Sequence, residues 1–127
     1  MKLLDDFFYI DYLVGDAANE ISCKVKFNPE HKIFEAHFPG SPITPGVCLV
    51  QMVTEILGRY FNKEFVLRKA VNIRFRKPVY PSETILFTLS KNDMVDGNSK
   101  VNVVIEGKGG VLGKMSLILF QTDEASD

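Results

Sequence analysis

One stretch of the sequence decides the fold: HFPGSPITPGVCLVQMVTEILGRYF, residues 37–61. Over its second part, residues 47–61, apolar side chains cover nearly the whole circumference of a predicted helix. A helix that is apolar all round belongs in a protein core. Thr44 is a good N-cap for this helix, and Pro45 suits the first helical position, where a missing N–H leaves no bond unmade. We therefore predict one long, buried central helix.

The segments around this helix have the patterns of β-strands. Apolar and polar residues alternate, and the alternating runs end at turn residues such as Asp96-Gly97-Asn98. Residues 31–44 are predicted to form a long loop, and the last strand is predicted to carry a bulge at Gly113. We expect an α+β fold in which a curled antiparallel sheet wraps the helix. The predicted strands cover residues 7–14, 21–27, 71–76, 85–89, 101–105 and 111–120.

Length and composition describe an ordinary globular chain. The 127 residues fit a single domain, 1–127, in which 121–127 is predicted to be a frayed tail. The chain is 46% apolar and 24% charged with a net charge of −1, so its total charge suggests neither nucleic acid nor a membrane as a partner. The start has no signal-peptide pattern, and we expect a cytoplasmic protein. Cys23 and Cys48 lack metal-ligand or redox spacing, which predicts two buried, reduced thiols.

The positive charges are concentrated in one region. Between Arg59 and Lys77, seven of the fifteen basic residues stand against a single acid, Glu64. For each residue alone, a solvated surface position explains the charge. As a cluster, these side chains favour an anionic partner, such as a phosphopantetheine or an acidic carrier protein. The seven residues are Arg59, Lys63, Arg68, Lys69, Arg74, Arg76 and Lys77.

Two motifs give the chain a specific resemblance. Residues 37–49, HFPGSPITPGVCL, resemble the His-Phe-Pro-Gly loop and Pro-Gly-Val helix start of the 3-hydroxyacyl-acyl-carrier-protein dehydratases. Residues 75–83, FRKPVYPSE, resemble the Phe-Arg-x-Pro-Val-x-Pro-Gly-Asp strand of the same family. The resemblance spans roughly residues 20 to 120. It implies a hot-dog fold, a homodimer or higher oligomer of dimers with active sites shared across the interface, and a hydro-lyase acting on acyl-carrier-protein thioesters. The sequence has no metal or nucleotide motif, so we expect no cofactor.

Dehydration requires a base for the proton beside the thioester carbonyl, and the resemblance assigns this role to His37. A histidine suits the role because its ordinary pKa lies near neutrality. His31 lies outside the motif and is interpreted as an ordinary loop histidine. Gly46, as the second helical residue after a Thr44 cap, would have an unpaired N–H directed at the carbonyl oxygen. Close packing is the alternative explanation for this glycine.

The third catalytic position departs from the family pattern. Counting from His37, the family has a catalytic Glu or Asp where this chain has Gln51. An amide can hold a hydroxyl but cannot deliver a proton as a carboxylic acid does. Glu55 follows one turn later and is the candidate to act beside Gln51, either through a water molecule held by Gln51 or on a differently placed substrate. An ion pair with Arg59 is an equally good explanation of Glu55, and Thr54 is interpreted as a packing residue.

Three hypotheses therefore remain open from the sequence. The first is an active dehydratase that uses His37, Gly46, Gln51 and Glu55. The second is a non-catalytic carrier-binding subunit that pairs with a related chain supplying the missing carboxylate. The third is a hot-dog thioesterase, which the His-Phe-Pro-Gly loop disfavours.

Overall fold

A computed structural model describes residues 2–16, 20–36, 40 and 42–122. The described strands form one six-stranded antiparallel sheet with the order β1-β2-β4-β5-β6-β3. The elements are β1 (Phe8–Gly15), β2 (Glu20–Phe27), α1 (Lys32–Ala36), α2 (Gly46–Phe61), β3 (Phe65–Phe75), β4 (Ile85–Asp93), β5 (Asn98–Gly107) and β6 (Gly110–Gln121). This is the predicted α+β arrangement of one long helix and a curled sheet.

The core lies between α2 and the inner face of the sheet. Nine residues of α2 are buried, from Cys48 to Gly58, which confirms the prediction of a buried central helix. β4 and β5 alternate buried and open positions, as strands with one covered face do. Fully burying one large apolar side chain contributes roughly 1.5–3 kcal/mol, so this helix–sheet contact supplies much of the stability.

The prediction of an uninterrupted loop at 31–44 is wrong at its start, because Lys32–Ala36 form the short helix α1. His31 begins this helix: its Nδ1 accepts a hydrogen bond from the Ile33 N–H at 3.1 Å. Phe34 is buried and stacks on Phe7 with ring centroids 4.9 Å apart. A helix of five residues is too short to show the 3.6-residue repeat from which helices are predicted.

Two local predictions are confirmed. At the turn between β4 and β5, Asp96 and Gly97 both have positive φ, 59° and 77°. In β6, Gly113 pairs with Ile105 and Val111 pairs with Glu106, which leaves Leu112 as the extra residue of a bulge. The predicted frayed tail falls mostly on residues 123–127, outside the described part of the chain.

The N-terminal segment, Lys2–Phe7, packs against the central helix. Leu3, Leu4 and Phe7 are buried, and the carbonyl of Leu3 accepts hydrogen bonds from the N–H groups of Asp6 and Phe7. Asp5 approaches Arg59 at 3.6 Å near the end of α2. The segment therefore forms part of the core even though it precedes the first strand.

Strand β3 is one of the two edge strands of the sheet and is more exposed than the other, β1. It pairs with β6 on one side, and ten of its eleven residues are exposed. An open edge that carries large apolar side chains is a site for pairing with another chain. The exposed apolar residues of β3 are Val66, Leu67, Val71, Ile73 and Phe75.

Candidate active site at the start of the central helix

The N-cap of helix α2 lies one residue later than the sequence indicates. Its N-cap is Pro45, with φ −63° and ψ 143°, and the Pro45 carbonyl accepts the N–H groups of Cys48 and Leu49. The prediction that Thr44 is the N-cap is therefore wrong, and no described side chain caps the helix with a hydrogen bond. The backbone N–H of Thr44 donates to the Val79 carbonyl at 2.7 Å, which fixes Thr44 outside the helix. Within the described residues, the buried Thr44 hydroxyl has no partner.

Gly46 is consequently the first residue of α2, not the second. A first-turn N–H has no partner inside the helix, and no described residue accepts this one. A Cβ built on Gly46 would lie 2.8 Å from Cε2 of Phe75, so glycine is also needed for close packing. The two explanations of Gly46 therefore do not exclude each other: its lack of a side chain admits the Phe75 ring, and its N–H has no acceptor among the described residues.

The two motifs behind the family resemblance meet beside this helix start. An apolar cavity of about 310 Å³ lies between residues 43–49 on one side and residues 75–79 on the other. The Thr44–Val79 hydrogen bond joins the two segments, and the Phe75 ring lies against Gly46. The lining residues are Ile43, Thr44, Leu49, Phe75, Arg76, Lys77, Pro78 and Val79.

His37 lies outside the described residues, so its role remains a prediction. The other histidine, His31, belongs to the N-terminal packing: its Nε2 lies 3.2 Å from Asp6 Oδ2, and its ring meets that of Phe7 edge-on. Since Nδ1 accepts from the Ile33 N–H, Nε2 is the nitrogen that donates to Asp6. His31 is thus structural, although more firmly held than an ordinary loop histidine.

Gln51 and Glu55 are in direct contact. The Gln51 side-chain amide donates from Nε2 to Oε2 of Glu55 at 2.8 Å. Glu55 also accepts the Leu4 N–H at 2.7 Å and the Leu3 N–H, which lies 2.9 Å from both carboxylate oxygens. The suggested ion pair between Glu55 and Arg59 is wrong, because Arg59 is directed towards Asp5. The N–H groups of Leu3 and Leu4 belong to the N-terminal segment, about fifty residues away in the sequence, so spacing along the helix could not identify them as partners of Glu55.

Gln51 and Gly46 lie on different sides of α2. Five residues along a helix correspond to about 7.5 Å of rise and about 140° of rotation. Gly46 borders the cavity only through Phe75, and Gln51 is not among the described residues that line it. Thr54 is buried, as a packing residue should be, and its hydroxyl donates to the Gln51 carbonyl at 2.7 Å.

The basic region divides into separate parts in the structure. Arg76 and Lys77 line the cavity, while Arg74 and Arg76 line an adjoining groove of about 360 Å³ together with Lys114. Arg68 instead covers the Phe120 ring at 4.4 Å. The positive charge next to the cavity therefore comes from the end of β3.

The two cysteines are not placed as reactive groups. Cys23 and Cys48 are both free and buried, as predicted. Burial raises the pKa of the Cys23 thiol to about 12 and raises that of the Cys48 thiol above its ordinary value. Among residues 2–16, 20–36, 40 and 42–122, no group of three His, Cys, Asp or Glu side chains is placed to hold a metal ion. No helix in these ranges is long and apolar enough to cross a membrane.

Comparison with known proteins shows the family of this chain. A family model described as ApeI-like, ApeI dehydratase, matches residues 14–108, most of the chain. The chain belongs to the ApeI-like dehydratase family. The match includes the whole of α2, both motifs and the cavity between them.

Relatives of this ApeI-like chain include enzymes named 3-hydroxyacyl-acyl-carrier-protein dehydratase FabZ. The enzyme from Wolbachia pipientis is 32% identical over 105 residues, which cover 76% of this chain and 72% of the relative. A Wolbachia sp. enzyme is 39% identical over 49% of this chain and 47% of its own length. The enzyme from Paramagnetospirillum magneticum is 32% identical over 67% of this chain and 59% of its own length. The chain thus spans about half the length of the last two relatives.

Solved structures show that this ApeI-like chain has the predicted hot-dog fold. The dehydratase heterocomplex ApeI:P from Xenorhabdus doucetiae superimposes with a TM-score of 0.74 at 17% identity, covering 88% of this chain and 96% of that one. A hypothetical thioesterase with coenzyme A from Streptococcus pneumoniae gives a TM-score of 0.66 at 12% identity, covering 97% and 94%. At such identities the likeness concerns the fold alone.

Proposed function

We propose that this chain dehydrates 3-hydroxyacyl thioesters, carried by an acyl carrier protein, to trans-2-enoyl thioesters. The observation that carries the proposal is the apolar cavity at the start of α2, which both family motifs line. The Phe75 ring of the second motif lies against Gly46, whose N–H has no acceptor among the described residues. A mostly apolar cavity with a few polar groups suits an acyl-pantetheine arm. The family, and relatives named as dehydratases of this type, give the reaction.

The chemistry divides among three residues. His37 removes a proton from C2, and the Gly46 N–H stabilises the negative charge on the thioester oxygen, aided by the positive end of α2. The C3–O bond then breaks as the C2–C3 double bond forms. The imidazolium of His37 returns its proton to the departing hydroxyl group, so that water leaves. Gln51 holds that hydroxyl group, since its amide cannot act as the acid.

The separation of Gly46 and Gln51 around α2 supports a site shared between two chains. With about 140° between them, the two groups of one helix point in different directions and do not converge on the thioester oxygen and the 3-hydroxyl group of one substrate. A second copy of the chain, paired through the open edge of β3, could supply the other group. Phe75 links the two features, since it belongs to β3 and also lines the cavity. We therefore propose a homodimer in which Gln51 serves the partner's cavity.

The positive charge beside the cavity supports an acidic acyl carrier protein as the donor of the acyl chain. Arg76 and Lys77 line the cavity, and Arg74 and Lys114 line the adjoining groove. Such side chains attract the phosphate of a pantetheine arm and the acidic surface of a carrier. Coenzyme A offers the same arm and phosphates, so both donors are included in the test.

The direct test is turnover of 3-hydroxyacyl thioesters on carrier protein and on coenzyme A. Mass spectrometry of the acyl chain distinguishes the outcomes, because dehydration removes water whereas a thioesterase releases the free acid. We expect enoyl thioester, with a higher kcat/KM for the carrier-linked substrate. Free acid as the main product, or no change in either substrate, would contradict the proposal.

The dimer hypothesis predicts that Ile73→Lys dissociates the protein and abolishes most of its activity. A charge placed in the exposed apolar row of β3 would have to be desolvated in the interface. Light scattering coupled to size exclusion should show monomers, and kcat should fall at least about tenfold because the shared site is split.

The matched control is Val95→Lys, on a residue that is 75% exposed and lies in the β4–β5 turn. This variant should remain dimeric and active, since it adds the same charge away from β3. A monomeric Ile73→Lys protein with full activity would show that each chain has a complete site.

A second candidate function is favoured by the amide at Gln51. In this case the chain binds the carrier and pairs with a homologous chain that has a carboxylate at the corresponding position. Co-expression with such a homologue followed by affinity purification tests it. A stable heterocomplex that is active, beside an inactive homodimer, would replace the first candidate.

A further inference from the structure

We infer that Glu55 is a positioning residue: it fixes the orientation of the Gln51 amide, so that Oε1 is the atom presented to the substrate hydroxyl group. The inference rests on the proposed function for the role of Gln51. The contact itself is independent of that role, since Gln51 Nε2 lies 2.8 Å from Glu55 Oε2.

The orientation follows from hydrogen-bond chemistry. A carboxylate only accepts hydrogen bonds, so the amide atom that faces Glu55 has to be the nitrogen. The oxygen of the same amide is then directed to the other side. Gln51 therefore offers an acceptor to the 3-hydroxyl group, which donates its O–H to it. A lone pair of the hydroxyl oxygen remains available for the proton that His37 returns.

Glu55 can fix this orientation because it is itself held from a second direction. The N–H of Leu4 donates to Oε1 at 2.7 Å, and the N–H of Leu3 lies 2.9 Å from both oxygens. Leu3 and Leu4 are 1% and 6% exposed, so these donors belong to a packed segment that cannot shift freely. The N-terminal segment thus supports the amide through one carboxylate.

The isosteric variant Glu55→Gln tests this role. The backbone N–H groups of Leu3 and Leu4 would retain the oxygen of the introduced amide, and its NH₂ would face Gln51. Gln51 would then rotate its own oxygen towards position 55 and present NH₂ to the substrate. We expect kcat to fall on the order of tenfold to a hundredfold, with KM changed less than about threefold.

A double-mutant cycle separates positioning from a general structural effect. In a Gln51→Leu background, which has no amide to orient, Glu55→Gln should lower kcat less than about twofold. The exposed Glu64→Gln is the control for charge removal and should leave kcat unchanged in both backgrounds. An equal loss from Glu55→Gln in both backgrounds would overturn the positioning role.

A readout without substrate separates this inference from the proposed function. The side-chain NH₂ resonances of Gln51, assigned by their loss in Gln51→Leu, should shift in Glu55→Gln and stay in place in Glu64→Gln. Unchanged resonances in Glu55→Gln would overturn the inference. A wild-type protein that turns over no 3-hydroxyacyl thioester, with resonances that do shift, would overturn the proposed function and leave the amide orientation established.

A second test introduces, at position 51, the carboxylate that the family has there. Gln51→Glu would place a carboxylate against Glu55, and like charges raise the pKa of the introduced carboxyl group above the ordinary value of about 4.3. Because that pKa is then higher in the folded than in the unfolded chain, stability should fall as pH rises between the two values. We expect its Tm to be lower than that of the wild type by about 5 °C or more at neutral pH.

The exchanged pair Gln51→Glu/Glu55→Gln should recover most of this loss. It restores one amide and one carboxylate, with the direction of the hydrogen bond reversed. Melting temperatures of the two variants, measured from acid to neutral pH, would reveal the difference. If both variants melt at the wild-type temperature at neutral pH, the carboxylate and amide are not coupled and the inference fails.

Discussion

Replacing His37 with asparagine is expected to lower kcat for dehydration by about a hundredfold to ten-thousandfold. His37 has two tasks in the proposed reaction, because it removes the C2 proton and returns it to the departing hydroxyl group. Neither Gln51 nor Gly46 can take over a proton. Asparagine is polar and close in size to histidine. The substitution therefore removes the group that transfers the proton and changes the side-chain volume little.

His31→Asn is the matched control, since the chain has two histidines. Asparagine can still accept the Ile33 N–H at the start of α1, because it is a good N-cap residue. The lost contacts with Asp6 and Phe7 should lower Tm slightly and leave kcat within about threefold of wild type. Equal losses of kcat in the two variants, or full activity of His37→Asn, would contradict the assignment of His37 as the base.

Replacing Gly46 with proline is expected to cost about a hundredfold to a thousandfold in kcat beyond the cost of alanine at the same position. Proline removes the N–H that is proposed to stabilise the thioester oxygen. The backbone accepts it, because Gly46 is the first helical residue and Pro45 has the extended φ and ψ that a residue before proline adopts.

Gly46→Ala is the control for packing. It introduces the same Cβ, 2.8 Å from Phe75 Cε2, but keeps the N–H. The alanine variant should therefore show the cost of displacing the Phe75 ring, measured both as Tm and as kcat. The difference in kcat between proline and alanine isolates the hydrogen bond. Proline and alanine variants with the same kcat would show that Gly46 serves packing alone.

The central helix could be predicted from the sequence because its signal is local and strong. The helix predicted over residues 47–61 is apolar on nearly all sides, so it has to lie in the core. The alternating strands then have to form a sheet around this helix. The turn at Asp96-Gly97 was equally predictable, because few residues other than glycine, asparagine and aspartate adopt positive φ readily. In these regions local preference and tertiary structure agree.

The capping of α2 could not be predicted, because a distant partner decides it. Thr44 has the right residue type and spacing for an N-cap, but its backbone N–H bonds to the Val79 carbonyl, 35 positions later. Glu55 is a similar case. Its spacing to Arg59 suggested an ion pair, whereas the N–H groups of Leu3 and Leu4, about fifty residues earlier, hold its carboxylate. Sequence spacing reveals partners within a helix and misses those that the fold brings in.

The site itself was predictable in part. The two motifs indicated the family, and the structure places Gly46 of the first against Phe75 of the second. Neither motif indicated that Gln51 contacts Glu55, because a Gln–Glu pair four residues apart is ordinary on a helix surface. The open apolar edge of β3 was also hidden, since alternation in residues 71–76 does not reveal which face is covered.

The central claim is that the thioester carbonyl binds at the first turn of α2. A crystal structure with a non-reactive amide analogue of a 3-hydroxyacyl pantetheine measures this directly. We predict a distance of about 2.7–3.1 Å between the analogue's carbonyl oxygen and the Gly46 nitrogen, with the acyl chain in the cavity beside Phe75. An analogue that is bound with its carbonyl oxygen away from the Gly46 nitrogen of every chain in the assembly would contradict the claim.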